Sequence, residues 1–194
     1  LRGLNALQTN IYIVAWRAFR YNPAPIMTPK LTEDNTTIRV GIGHDTHRLD
    51  DGGPLLLGGV EIPYDRHLVG HSDADVLLHA VTDALLGAAA LGDIGDMFPD
   101  DDESHRGRDS ADMLRQALER VRSNGFEIEN IDCIVFAQRP KLKDFKLAIQ
   151  QRVAEILKVA TTAVGLKAKT GENSGPVGRE EGMMAQCVVL LRKL

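Results

Sequence analysis

The chain has 194 residues, 43% of them apolar and 26% charged, with 23 Lys and Arg against 27 Asp and Glu and a net charge of −4. That is a globular mixture with room for one domain of ordinary size, and its acidic balance excludes a general nucleic-acid binder while allowing a local basic patch. No apolar run approaches the ~20 residues that span a bilayer, and the two cysteines, Cys133 and Cys187, make neither a disulfide framework nor a C-x-x-C metal knuckle, which fits a reducing compartment.

The first thirty residues differ from the rest. They hold Arg2, Arg17, Arg20 and Lys30 with no acid, and four of the nine aromatics, Tyr12, Trp16, Phe19 and Tyr21. The apolar run from Ile11 to Trp16 is too short for a membrane span or a strong secretory core. Residues 1–37 are therefore expected to be an N-terminal extension, either disordered or upstream sequence translated ahead of a start at Met27. Residues 38–194 are expected to be the working domain. The placement expected is cytoplasmic for a bacterial-type chain, or a plastid-type organelle if the extension is a transit peptide.

Ile38-Arg39-Val40-Gly41-Ile42-Gly43 alternates as a strand and ends in His44-Asp45-Thr46-His47. Leu55–Leu57 and Val60–Ile62 around Gly58-Gly59 form a hairpin signal. A helix is expected from about Asp73 to Leu91, with Ser72 and Asp75 as a capping box, Gly92 just past its end, and Leu77, Leu78, Val81, Ala84, Leu85 and Ala88 on its apolar face. Asp93–His105 is a loop rich in Gly, Asp and Pro. A second helix covers about Ser110–Ser123, capped by Asp109 or Ser110 and stopped by Gly125. Ile128–Ala137 is a strand with Ile131, Cys133, Val135 and Ala137 on one face. A third helix spans about Lys143–Lys158, and strands follow at Val164–Thr170 and Gly182–Leu191. The order implies an α+β fold, a small mixed β-sheet with helices packed on one face.

Several groups carry chemistry. Asp45 and His47 share one face of a strand, and His79 on the first helix is the best third ligand. A carboxylate and two imidazoles suit Zn²⁺ and leave a coordination position open. Asp83, one turn beyond His79, is a candidate to hold that imidazole. From spacing alone, Asp45 and His47 read equally well as ordinary loop residues and His79 as a satisfied buried histidine. The backbone N–H groups of His71 and Ser72, ahead of the helix, suit an anion, although Ser72 serves equally as a simple cap. The acidic glycine-bearing loop from Gly92 to Asp100, tipped by Phe98, suits a polyol or is a solvated surface loop. Lys141 after a strand, and Lys169-Thr170 entering a turn before Glu172, offer phosphate donors and a hard-cation ligand. Arg179 and Glu181 read as a surface pair.

Taken together these pieces resemble a known family. Gly43-His44-Asp45-x-His47, Gly58-Gly59-Val60-x-Ile62-Pro63, His71-Ser72-Asp73-Ala74-Asp75 with His79, the run Thr82–Gly95 and Phe98-Pro99-Asp100 match the 2-C-methyl-D-erythritol 2,4-cyclodiphosphate synthases of the non-mevalonate isoprenoid pathway, over about residues 38–194. The resemblance implies a lyase that cyclises 4-diphosphocytidyl-2-C-methyl-D-erythritol 2-phosphate and releases CMP. It implies a homotrimer with active sites between neighbouring subunits, and no membrane or nucleic-acid partner. It implies zinc on Asp45, His47 and His79, and Mg²⁺ or Mn²⁺ on Glu172 with the substrate phosphates. His71 and Ser72 would meet phosphate, and Asp93, Gly95, Phe98 and Asp100 the methylerythritol part. Ala137, Pro140, Lys141 and Leu142, with Ala168, Lys169 and Thr170, would receive the cytidine diphosphate, with Lys141 and Thr170 catalytic. Arg179 would lie near the trimer axis, where relatives can hold an isoprenoid diphosphate.

This chain departs from the family pattern at Lys169, which replaces a hydroxyl residue, at Val177, where an aromatic is usual, and at Glu180, which replaces a glycine. Two alternatives stand beside the cyclase. One is a zinc phosphodiesterase that activates water and gives a linear bisphosphate. The other is a trimeric isoprenoid-diphosphate binder that has lost catalysis.

Overall fold

The computed structural model describes residues 38–99, 101 and 106–194. The expected extension at residues 1–37 lies outside them. Among the described residues, the apolar and β-branched segments form strands β1 (Ile38–Asp51), β2 (Leu55–Leu57), β3 (Val60–Ile62), β4 (Arg66–Val69), β5 (Phe126–Phe136), β6 (Val164–Lys169) and β7 (Gly182–Lys193). Five of them make one sheet in the order β4-β1-β7-β5-β6, and β2 and β3 pair separately as the expected hairpin. The β5–β6 pair is parallel and the other neighbours are antiparallel. The sheet is mixed, as the sequence implies.

β1 is longer than its alternation suggests. β7 pairs with it as far as Arg48↔Gly182, and β4 pairs with Arg48 through Asp51. Asp45 and His47 therefore sit inside a strand rather than at its end, held by backbone ladders instead of a flexible loop. β4 itself carries too few residues to announce itself by pattern.

Helices α1 (Val76–Ala88), α3 (Ser110–Ser123) and α4 (Lys146–Leu157) lie on the sheet face lined by buried Cys133, Val135, Ala185, Cys187 and Val189. On the opposite face Val40, Ile42 and Val188 are 66%, 68% and 43% exposed. Gly41 and Gly43 let α1 ride on β1: a Cβ at Gly41 would stand 2.0 Å from the Ala84 carbonyl oxygen, and one at Gly43 2.0 Å from that of Ala80.

α1 starts later than expected, because its cap is Asp75 and not Ser72. The fully buried Asp75 carboxylate accepts from the N–H groups of Leu77 and Leu78 at 3.1 Å each. It also accepts from Gly58 N–H at 2.9 Å and Gly59 N–H at 2.7 Å, which ties the β2–β3 hairpin to the helix. The capping box of Ser72 with Asp75 does not form, and the helix itself begins at Val76. At the other end Ala90, at φ +57°, turns the chain before Gly92 is reached.

The acidic loop after α1 holds a short helix, α2 (Ile94–Met97), and a second short helix, α5 (Gly175–Gly178), stands between Glu172 and Arg179. α4 begins three residues later than its pattern suggests, behind a single 3₁₀ turn at Leu142–Asp144.

Candidate active site

The two-residue period of β1 points Asp45 and His47 the same way, and α1 brings His79 to meet them. Asp45 Oδ2 lies 3.0 Å from His47 Nε2 and 3.0 Å from His79 Nδ1, and the two ring nitrogens are 3.0 Å apart. A tetrahedral ion with bonds of about 2.1 Å holds its donors about 3.4 Å apart, so a small outward relaxation turns this triangle into a ligand set. The side chains of Asp45, His47 and His79 are 24%, 16% and 11% exposed. One anionic oxygen and two imidazoles at this spacing fit a divalent cation and leave coordination positions for a further ligand.

The electrostatics are self-consistent. Burial opposes ionisation of Asp45, but hydrogen bonds and charge attraction from His47 and His79 outweigh it and hold the carboxyl far below its usual range. Burial likewise disfavours a charged His47, but Asp45 and the Val69 carbonyl raise its pKa overall. The second His47 nitrogen, Nδ1, faces that carbonyl at 3.0 Å, which leaves Nε2 for the cation. Gly70 makes room for this ring, since a Cβ there would lie 2.8 Å from His47 Cε1. The sequence reading gave Gly70 no role.

Asp83 does not support His79. Its Oδ1 accepts from Ile94 N–H at 2.8 Å and anchors the start of α2 instead. The imidazole support comes from α3, where Ser110 Oγ lies 2.8 Å from His79 Nε2, with Ser72 Oγ 3.0 Å from the same nitrogen. Ser110 reads from sequence only as a helix cap, so this contact was missed.

The three donors share a cleft of about 200 Å³ with His71, Ser72, Asp83, Gly95 and Phe98. Phe98 is 4% exposed, and the Arg108 guanidinium lies over its ring at 4.7 Å. Asp93 is close by in sequence but caps α2, accepting from Asp96 N–H at 2.9 Å. Asp100 lies outside the described residues.

A second cleft of about 290 Å³ gathers Ala137, Pro140, Lys141, Leu142, Ala168, Lys169 and Thr170, with Lys143 and Lys146 at its wall. Four lysines around one cleft suit a polyanion. Thr170 Oγ1 donates to Glu172 Oε1 at 2.6 Å, and Glu172 is exposed at φ +49°. Arg179 pairs with Glu181 at 2.6 Å on the surface. Among the described residues, neither Glu172 nor Arg179 lines either cleft.

A mixed sheet that brings a carboxylate and two imidazoles within reach of one cation, with a lysine-rich cleft on the same domain, has the groups that phosphate chemistry calls for. The chain belongs to the YgbB family, whose model matches residues 38–192. It is 57% identical over 154 residues to the 2-C-methyl-D-erythritol 2,4-cyclodiphosphate synthase of Cupriavidus necator, covering 79% of this chain and 91% of that one. It is 52% identical over 155 residues to the synthase of the same name from Rhodopirellula baltica, covering 80% and 93%. Among solved structures, a 2C-methyl-D-erythritol-2,4-cyclodiphosphate synthase in its CDP-bound form matches with a TM-score of 0.73 at 38% identity, over 79% of this chain and 99% of that one.

Proposed function

We propose that the protein converts 4-diphosphocytidyl-2-C-methyl-D-erythritol 2-phosphate to 2-C-methyl-D-erythritol 2,4-cyclodiphosphate and releases CMP. The observation that carries this is the convergence of Asp45, His47 and His79, with donor atoms within 4.8 Å of one another, in a chain homologous over most of its length to synthases of that name. The bond formed joins a 2-phosphate oxygen to the β-phosphorus. The bond broken is the one from the β-phosphorus to the oxygen that leaves with CMP. The nucleophile is already tethered in the substrate, so no protein nucleophile is required. The chain's work is orientation, which can supply ~7–11 kcal/mol, and neutralisation of crowded phosphate charge.

Asp45, His47 and His79 would hold zinc, and Glu172 Mg²⁺ or Mn²⁺ with the phosphates, ions that supply Lewis-acid neutralisation of phosphate oxygens when bound. His71 and Ser72 present donors at the wall of the first cleft. Asp93, Gly95 and Phe98 receive the methylerythritol part, a role that Asp100 shares. Lys141 and Thr170 act as catalytic groups by clamping the diphosphate. Lys169 adds fixed positive charge, and Ala137, Pro140, Leu142 and Ala168 shape the cytidine seat. The separation of the two clefts and the exposed apolar sheet face both support a homotrimer in which neighbouring subunits complete each site. Arg179 would then meet any isoprenoid diphosphate at the axis.

The test is incubation with the cytidylated substrate, with and without chelator, followed by phosphorus NMR. Cyclic diphosphate and CMP are expected, lost on chelation and restored by zinc. His79→Ala should lower CMP release more than about 100-fold. A linear bisphosphate product refutes the cyclase assignment, and full turnover by verified metal-free protein refutes the zinc role.

A further inference from the structure

Ser110 opens α3 and is 1% exposed. The helix does not need its hydroxyl as a cap, because the Asp109 carboxylate accepts from Ala111 N–H at 2.7 Å. The Ser110 hydroxyl instead donates to Asp73 Oδ1 and stands 2.8 Å from His79 Nε2. The Asp73 carboxylate is itself fixed, since Oδ2 accepts from Ser110 N–H at 3.0 Å and Oδ1 from Asp75 N–H at 3.3 Å. A hydroxyl has one proton to give. With that proton committed to Asp73, the Ser110 oxygen faces His79 as an acceptor, and the imidazole must present Nε2–H to it. The tautomer that results leaves a bare lone pair on Nδ1, the atom 3.0 Å from both Asp45 Oδ2 and His47 Nε2.

We propose that Asp73 and Ser110 are positioning residues for His79: the Asp73–Ser110–His79 chain fixes the tautomer and plane of the imidazole so that Nδ1 faces the cation site. The inference rests on the reading of Asp45, His47 and His79 as cation ligands. It also separates two serines that touch the same nitrogen. Ser72 Oγ lies 3.0 Å from Nε2 and accepts from Ala74 N–H at 3.3 Å, but it lines the cleft, and among the described residues no carboxylate accepts its proton. Ser110 orients the ligand, and Ser72 keeps its proton for whatever enters the cleft.

The experiment measures zinc affinity by competition with a chromophoric chelator, and the cobalt(II) spectrum, for the parent chain, Ser110→Ala, Asp73→Asn and Ser72→Ala. Melting of each metal-free protein is followed alongside. Ser110→Ala should weaken zinc binding about 10–100-fold and alter the cobalt spectrum. Asp73→Asn should weaken it too, because one amide oxygen cannot serve every donor now shared by the carboxylate. Ser72→Ala should stay within about threefold of the parent, since Ser110 still accepts from Nε2–H and no carboxylate fixes the Ser72 hydroxyl among the described residues. A merely structural role for Ser110 predicts a lower melting temperature with zinc affinity unmoved. Zinc affinity within about threefold of the parent in Ser110→Ala overturns the proposal, as does equal weakening by Ser72→Ala. A parent chain that binds no zinc overturns the reading of the centre itself, and this inference with it.

Discussion

Asp83 shows how one carboxylate can be legible as important and still be misassigned. The helical period places it one turn from His79, but its oxygen reaches the Ile94 N–H, because α2 folds back over the end of α1. Burial pushes its pKa up, and the charges of Asp93 and Asp45 add to this, against the Ile94 N–H and His79. A carboxyl raised in the fold loses its proton first in the unfolded chain, so its favourable contribution is full below about pH 3.9 and is lost as pH rises through the folded value. Asp83→Asn keeps an acceptor for Ile94 and removes that loss. Metal-free thermal melts should show the variant gaining on the parent as pH is raised from about 3 to about 7. Asp83→Ala should instead lose about 1–2 kcal/mol, because the Ile94 N–H is left without its carboxylate. At this scale residue type and period made Asp45, His47 and His79 candidates for one cation, and only the family resemblance chose that reading over ordinary loop and core residues. Ser110, Asp73 and Gly70 were not, because their roles depend on which loop of the fold reaches the back of an imidazole.

Among the elements, the α1–β1 joint decides the precision of the site. Helix and strand meet backbone to backbone at Gly41 and Gly43, and one carries His79 while the other carries Asp45 and His47. Gly43→Ala would force the helix outward, with an expected cost of about 2–4 kcal/mol and a parallel loss of zinc affinity, checked by denaturant titration and chelator competition. Gly87, inside the same helix, is the contrast. Its Cβ would meet only the Ile42 carbonyl oxygen, at 4.0 Å. Gly87→Ala should therefore stabilise by about 0.5–1 kcal/mol and leave zinc binding intact. Periodicity gave the hairpin, α3 and the inward face of β5 closely. It misplaced the start of α1, because Asp75 answers to the β2–β3 hairpin as well as to its own helix, and no local window contains both.

For the whole molecule, the informative feature is the sheet face that the described helices leave exposed. Val40 and Ile42 on β1 and Val188 on β7 form an apolar strip, with Ile42 directly opposite Val188 in the ladder. Ile42→Glu should convert a species three times the 21.2 kDa chain mass into one of a single chain mass by light scattering, with turnover lost in step. An unchanged mass and activity would remove this face from the assembly. The sequence alternation could indicate a two-faced sheet, but not that both faces would be apolar at its centre. The clefts lead to a different consequence. One is walled by β1, α1 and α2, the other by the β5–α4 connection and the end of β6. Mutational drift can therefore rewrite one wall while the other keeps its shape. A combinatorial library over Ala137, Leu142 and Ala168 would explore nucleobase preference, with cation retention as a constant background against which each clone is scored.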